Sequence, residues 1–407
     1  MKRVVVTGIG CISALGNSLE SILARLRRSE NAIRHMTEWE QYDGLFTRLA
    51  APVTDFEKPA HYSRKALRSM GRVALMSVRA TELALEDAGL AGDTLVAGGQ
   101  MGIAYGSSAG STAATAEFAN MLINKRTDGL NATSYIRMMS HTAAVNIGVF
   151  FGVRGRVYTT SSACTSSSQG IGYGFEAIRN GSQVAMICGG AEELCPTEAA
   201  VFDTLFATST NNAHPQATPR PFDRDRDGLV IGEGAGTVIL EEYEHALARG
   251  ARIYAEVLGY ATNSDGRHVT QPDQDSIREV LRLSLDDAGV GASDIGYVSA
   301  HGTATDRGDI AESRATAAVM GSATPISALK SYTGHTLGAC GSTEAITTIG
   351  MLREGWFHPT LNLEHLDPEC GELDYITGAG RRIDCEIAMS NNFAFGGINT
   401  SLIFRRA

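Results

Sequence analysis

The chain has 407 residues, 43 % hydrophobic and 20 % charged, a balance that builds a sizeable core and excludes a disordered chain. Lysine plus arginine number 35 against 45 aspartate plus glutamate, a formal net charge of −10, so nucleic-acid binding, which draws on a basic excess, falls in rank. Seven cysteines, odd in number and without a C-x-x-C pair, argue against a disulfide framework or structural zinc and for a reducing cytoplasm. No apolar run approaches the ~20 residues that span a bilayer.

The opening MKRVVVTGIGCIS reads as a first β-strand, its apolar run being too short and Gly-broken for a secretory leader. Strands are predicted in chain order at Arg3–Gly10, Met101–Gly106, Arg156–Thr160, Val184–Gly189, Gly236–Glu241, Ile253–Tyr260, Ile295–Ala300, Pro325–Leu329 and Thr400–Phe404. Helical patterns fall between them at Arg72–Ala88, Gln169–Arg179, Asp275–Ala288 and Thr343–Arg353. This alternation predicts an α/β protein with parallel or mixed sheets covered by helices. An internal echo joins its two ends. LALEDAGL (Leu83–Leu90) and LSLDDAGV (Leu283–Val290) are each followed about a dozen residues on by a strand, as in a duplicated half.

Chemistry concentrates in four segments. In TTSSACTSSSQG a strand runs into Cys164 at the start of a helix, where free N–H groups and the helix dipole favour a thiolate and small neighbours leave the sulfur approachable. In SAHGTATDRGD, His301 follows a strand end, where open α/β sheets place their functional groups. In LKSYTGHTLGACG, Lys330 and His335 lie in a Gly-rich turn before a helix. In SNNFAFGGINT, paired glycines expose backbone N–H groups, the raw material of an oxyanion hole.

These segments, with RVVVTGIG, GGAEELC, PFDRDRDGLVIGEGAG and EEYEHALARGARIYAEVLGY, resemble the β-ketoacyl-acyl-carrier-protein synthases, the elongating condensing enzymes of the thiolase superfamily, over essentially the whole chain. The resemblance implies a thiolase-like fold, two duplicated halves in an α-β-α-β-α arrangement, residues 1–245 carrying the nucleophile and 246–407 the two histidines. Cys164 would take the acyl chain as a thioester, and His301 and His335 would act on the malonyl group. Lys330 would orient the histidines, with Glu312 as its buried partner. The N–H groups of Cys164 and Phe395 would hold the tetrahedral oxyanion, and the Phe395 ring would gate the acyl pocket. Thr303 and Thr305 would hydrogen-bond the pantetheine arm. No bound cofactor is implied beyond that arm, and no metal.

The implied partner is an acidic acyl carrier protein, which needs a local basic patch on an acidic chain. Arg64, Lys65, Arg68 and Arg72 match the family's docking region, and 64, 68 and 72 are spaced as one helix face, with Lys125 and Arg126 as an extension. The family is usually homodimeric, and a heterodimer with a Cys-less chain-length partner is the other arrangement. Departures from the family pattern are HGTATDRGD for HGTSTPxGD, NNFAFGGIN for NSFGFGGTN, and Cys340 for an alanine. They resemble the branch attached to aryl-polyene-type pathways, with housekeeping fatty-acid elongation as the alternative. A thiolase needs a late C-x-G motif, but Cys385 is followed by Glu386 and Ile387. A chain-initiating synthase carries Asn where His335 stands, and a non-catalytic partner lacks Cys164. From another class, a Cys–His thioester hydrolase fits the same side chains but needs water in the pocket.

Overall fold

The glycine-punctuated apolar runs pair into one mixed sheet of eleven strands in the computed structural model, which describes residues 1–407. In chain order the strands are β1 (Val4–Ser13), β2 (Met101–Gly106), β3 (Val157–Thr159), β4 (Ala185–Glu192), β5 (Gly234–Glu242), β6 (Ala255–Ser264), β7 (Ile295–Ser299), β8 (Pro325–Ser327), β9 (Asp374–Tyr375), β10 (Ile387–Phe393) and β11 (Ile398–Arg406). Their order across the sheet is β9-β8-β7-β10-β11-β6-β1-β5-β4-β2-β3. Every residue of β1 is buried, which is why it reads as an unbroken apolar run rather than an alternating one.

The sheet is one topology written twice. β1 pairs antiparallel with β5, β5 antiparallel with β4, β4 parallel with β2, and β2 parallel with β3. In the second half β6 pairs antiparallel with β11, β11 antiparallel with β10, β10 parallel with β7, and β7 parallel with β8. The halves join where Val4–Val6 of β1 meet Ala255–Val257 of β6.

Helices follow the same duplication. α1 (Arg64–Leu67) is a single turn, and α2 (Arg72–Asp87) packs on β1 and β5. α3 (Ser166–Arg179) and α4 (Pro196–Asp203) follow β3 and β4. α5 (Gln274–Ala288) packs on β6 and β11, α6 (Asp306–Met320) on α5, and α7 (Cys340–Glu354) follows β8. α2 and α5 are the outer layers, while α3 and α7 pack together between the two half-sheets, giving the expected five layers. Cys340–Leu352 of α7 are all buried, so this helix has no solvent face.

The sequence echo has a physical function in both copies. Asp87 ends α2 and accepts the Ile9 N–H of β1 at 2.9 Å; Asp287, near the end of α5, accepts the Tyr260 N–H of β6 at 3.0 Å. Each is followed by a glycine in the left-handed region, Gly89 at φ +68° and Gly289 at φ +67°, which lets the helix stop and the chain turn. The strands also approach their helices through glycine: a Cβ on Gly10 would stand 2.0 Å from the Ala80 carbonyl oxygen. No helix is long and apolar enough to cross a membrane. All seven cysteines are free.

Candidate active site

The nucleophile candidate is set by a kinked turn. After β3 the chain passes Ala163 at φ +52°, a conformation that L residues rarely adopt, into a single 3-10 turn, Ala163–Thr165, that feeds α3. The turn before α7 repeats this with Leu337 at φ +43°. The two seam helices therefore bring their N-terminal ends, and the residues on them, to one place. Ser166 Oγ accepts the Ser162 N–H at 3.0 Å, and the Cys340 thiol donates to the Cys164 carbonyl at 3.1 Å, fixing the Cys164 turn from both halves.

Cys164 is 5 % exposed, and its sulfur lies 3.0 Å from His335 Nε2. The thiolate favoured by the helix start is not the resting form: burial outweighs the Lys330 charge and the Cys164 and Phe395 N–H groups, and pushes the thiol up to about 12. His335 is pinned at its backbone, its N–H donating to the Val230 carbonyl at 2.7 Å. Its Nδ1 accepts the Leu337 N–H at 3.2 Å, so in the neutral ring the proton sits on Nε2, facing the sulfur.

His301 stands just past β7 with its ring at 5.2 Å and 88° to that of His335. Its Nδ1 faces two donors, Lys330 Nζ at 3.0 Å and Asn392 Nδ2 at 3.3 Å, which again leaves the proton on Nε2. Burial, reinforced by Lys330, holds both imidazoles well below their ordinary pKa, so both are neutral at pH 7. The pair therefore presents two neutral N–H donors.

Lys330 is buried, and its partner is Glu344, not Glu312. Lys330 Nζ lies 2.5 Å from Glu344 Oε1, and Asn392 Nδ2 donates to Glu344 Oε2 at 2.6 Å. Glu312 instead accepts the backbone N–H groups of His301 and Gly302, each at 2.7 Å, and so shapes the turn that carries His301; burial pushes its carboxyl up to about 8. The reason is directional: α6 starts beyond the His301 turn and aims Glu312 back at its amides, whereas α7 carries Glu344 beside Lys330.

A cavity of about 610 Å³ opens onto Cys164, His301 and His335. Thr303 and Thr305 line it with hydroxyls 2.8 Å apart, and Phe395 stacks at 5.2 Å on Phe202 of α4. Asp306 and Arg307 stand exposed at the mouth, where Asp306 pairs with Arg226 at 3.4 Å. The reactive atoms of Cys164, His301 and His335 lie within 4.8 Å of one another, close enough to share an ion.

The basic surface differs from expectation. Arg64 and Lys65 occupy the one-turn helix α1, Arg68 caps it, and extended backbone at Gly71 separates it from α2. Residues 64, 68 and 72 therefore share no helix face. Arg72, although still exposed, is committed to another partner: its guanidinium grips buried Glu233 with two bonds of 2.8 Å. Arg64, Lys65 and Arg68 remain exposed, as do Lys125 and Arg126, the latter paired with Asp128.

Glu344 and Asn392 were not singled out from the sequence. For Glu344 a signal existed: a buried lysine demands a carboxylate, and Glu344 is the only acid between Lys330 and Arg353. For Asn392 the signal was the motif departure itself, NNFAFGGIN where the family has NSFGFGGTN, but it lies on β10, whose buried polar centre does not read as a strand, so nothing aimed it at Glu344.

Comparison with known proteins agrees with this geometry. The family model for the N-terminal domain of β-ketoacyl synthases matches residues 1–246, and that for their C-terminal domain residues 254–364. A 3-oxoacyl-[acyl-carrier-protein] synthase 2 of Synechocystis sp. is 37 % identical over 100 % of this chain and 98 % of its own. A crystal structure of a β-ketoacyl synthase from Burkholderia phymatum superposes with a TM-score of 0.99 at 56 % identity, covering 100 % of both chains. The ishigamide ketosynthase/chain length factor superposes at 0.92 with 35 % identity, over 100 % of this chain and 99 % of that one. With two matching domain models, full-length relatives and a buried thiol under two neutral imidazoles, the chain belongs to the β-ketoacyl synthase family, condensing enzymes of the acyltransferase class.

Proposed function

We propose that the enzyme joins a malonyl unit, delivered on an acyl carrier protein, to an acyl chain held on Cys164. In the first step the thiol attacks the acyl thioester; its proton passes to the departing pantetheine sulfur, with His335 Nε2 the nearest ring atom. In the second, the malonyl group loses carbon dioxide as its C–C bond breaks. The electron pair moves onto the thioester oxygen, where the Nε2–H donors of His301 and His335 stabilise the enolate. Such donors, aimed at developing charge in a dry pocket, are each worth roughly 3 kcal/mol. The enolate carbon attacks the acyl-Cys164 carbonyl, whose oxyanion meets the N–H groups of Cys164 and Phe395. Collapse breaks the C–S bond, and the released thiolate takes up one proton from solvent, the proton the condensation as a whole consumes. Lys330 holds His301 in the productive tautomer, and Thr303 and Thr305 bind the pantetheine arm.

The observation that carries this reading is the 3.0 Å contact between Cys164 Sγ and His335 Nε2, with His301 in the same cluster of atoms within 4.8 Å. Incubation with labelled malonyl-carrier and an acyl-carrier primer tests it. Cys164→Ala abolishes β-ketoacyl product; elongation by that variant at the wild-type rate would overturn the assignment, and free acid without product would favour a hydrolase.

Arg64, Lys65 and Arg68 dock the acidic carrier, with Lys125 to the side. Two copies of the chain, or this chain and a chain-length partner, join along the exposed edge β3, and the enzyme works in the cytoplasm. For the acyl chain, the departures at Asp306, Ala394 and Ile398 support an aryl-polyene-type pathway, while likeness to a 3-oxoacyl-[acyl-carrier-protein] synthase 2 supports fatty-acid elongation. The acyl group trapped on Cys164 from native cells decides: a conjugated aryl chain for the first, a saturated alkyl chain for the second.

A further inference from the structure

Four groups close a ring behind the histidine pair. Glu344 receives one donor on each carboxylate oxygen, Lys330 at 2.5 Å and Asn392 at 2.6 Å, and both donors also face His301 Nδ1, at 3.0 and 3.3 Å. The Cys340 sulfur lies 3.6 Å from the Asn392 amide nitrogen, and its thiol anchors the Cys164 carbonyl. Asn392 is fully buried, and only its NH₂ end can face Glu344, since an amide oxygen at 2.6 Å from a carboxylate would repel it. Asn392 and Cys340 are thus two departures from the family pattern that meet in one place.

A carboxylate next to an imidazole nitrogen draws the ring proton to that nitrogen. Glu344 shares an atom cluster with His301, their ligating atoms lying within 4.8 Å of each other. Were its second oxygen unoccupied, that carboxylate would compete to draw the ring proton to Nδ1. We infer that Asn392 is a positioning residue that occupies Glu344 Oε2 and, with Lys330, keeps the His301 proton on Nε2, the atom turned to the cavity. This rests on the condensation reading for its effect on rate, but not for its effect on the ring.

The test is NMR of ¹⁵N-histidine-labelled enzyme, with the His301 signal assigned by its absence in His301→Gln, combined with the two half-reactions. The wild type shows His301 protonated on Nε2. N392D, nearly isosteric but with an acceptor in place of the donor, moves the proton to Nδ1. It slows carbon dioxide release from malonyl-carrier by roughly 10²- to 10⁴-fold, the scale of a wrong histidine tautomer elsewhere. Acyl transfer to Cys164 stays within about threefold. N392S, which keeps a donor, retains Nε2–H and decarboxylates within roughly tenfold of wild type. If N392D does not fold, N392A against N392S makes the same comparison, with only N392A losing the tautomer. An unchanged His301 tautomer in N392D or N392A, or an equal loss in both half-reactions, overturns the inference. The tautomer measurement needs no turnover, so a wild type that condensed nothing would sink the reaction assignment alone.

Discussion

A buried lysine is tolerable only while its charge is answered, and at Lys330 the answer is Glu344. Removing one partner of such a pair leaves an uncompensated charge in the interior, at a cost of roughly 3–5 kcal/mol. Glu344→Gln is therefore expected to lose stability on that order in chemical denaturation, while Glu312→Gln acts mainly on the turn at His301. The histidines carry a second expectation. Their folded pKa values lie well below 6.5, so as pH falls below 6.5 the unfolded chain takes up protons that the folded one refuses, and stability declines. His335→Asn removes one such group, so its melting temperature should fall less than wild type between pH 7.5 and 5.5; a parallel fall would contradict a neutral buried His335. At this scale Cys164, His301 and His335 were legible because each occupies a small-residue turn at a strand or helix end. Glu312 and Glu344 were harder, since sequence reveals that a lysine needs a carboxylate but not which of two helices aims one at it.

Elements were read well where burial is uniform and poorly where it is local. The predicted β1 and α5 agree with the observed spans to within a few residues. β10 was missed because Ser390, Asn391 and Asn392 are fully buried polar residues, a pattern that resembles a loop until the neighbouring strands are known. The break between α1 and α2 was missed for the opposite reason: periodicity carries on through residues 64–72 although Gly71 takes extended backbone. This break separates two measurable effects. Lys65→Glu with Arg68→Glu should raise KM for the acyl carrier protein about tenfold or more, with little change in melting. Arg72→Ala should leave Glu233 buried and unpaired and cost roughly 1–3 kcal/mol, discounted because the guanidinium is partly solvated, without a specific effect on KM. Equal KM effects for the two would return Arg72 to the docking patch.

At the scale of the molecule, the repeat explains why a single Asp-Ala-Gly echo was enough to predict two halves: each copy ends the helix that covers its half-sheet. What sequence could not supply was the middle layer, since α3 and α7 touch each other only once both sheets exist. The sheet's exposed edge makes a prediction of its own. Val157 on β3 is 48 % exposed and Val149, on the helix Thr142–Phe151 just before it, 78 %, apolar groups beside unpaired strand amides. Under the proposed pairing along β3, Val157→Lys should weaken self-association in sedimentation; unchanged association, or none in the wild type, would contradict that interface.

α7 has no face turned to water, so it cannot settle until both flanking sheets have closed on it. The imidazole just ahead of it reaches the sulfur only at that moment. A chain whose second half has not yet closed therefore lacks the imidazole that stands beside its thiol in the finished enzyme, and acylation of Cys164 is expected only once both halves have packed. Thioester formation on the newly made chain would thus serve as a clock for completed folding.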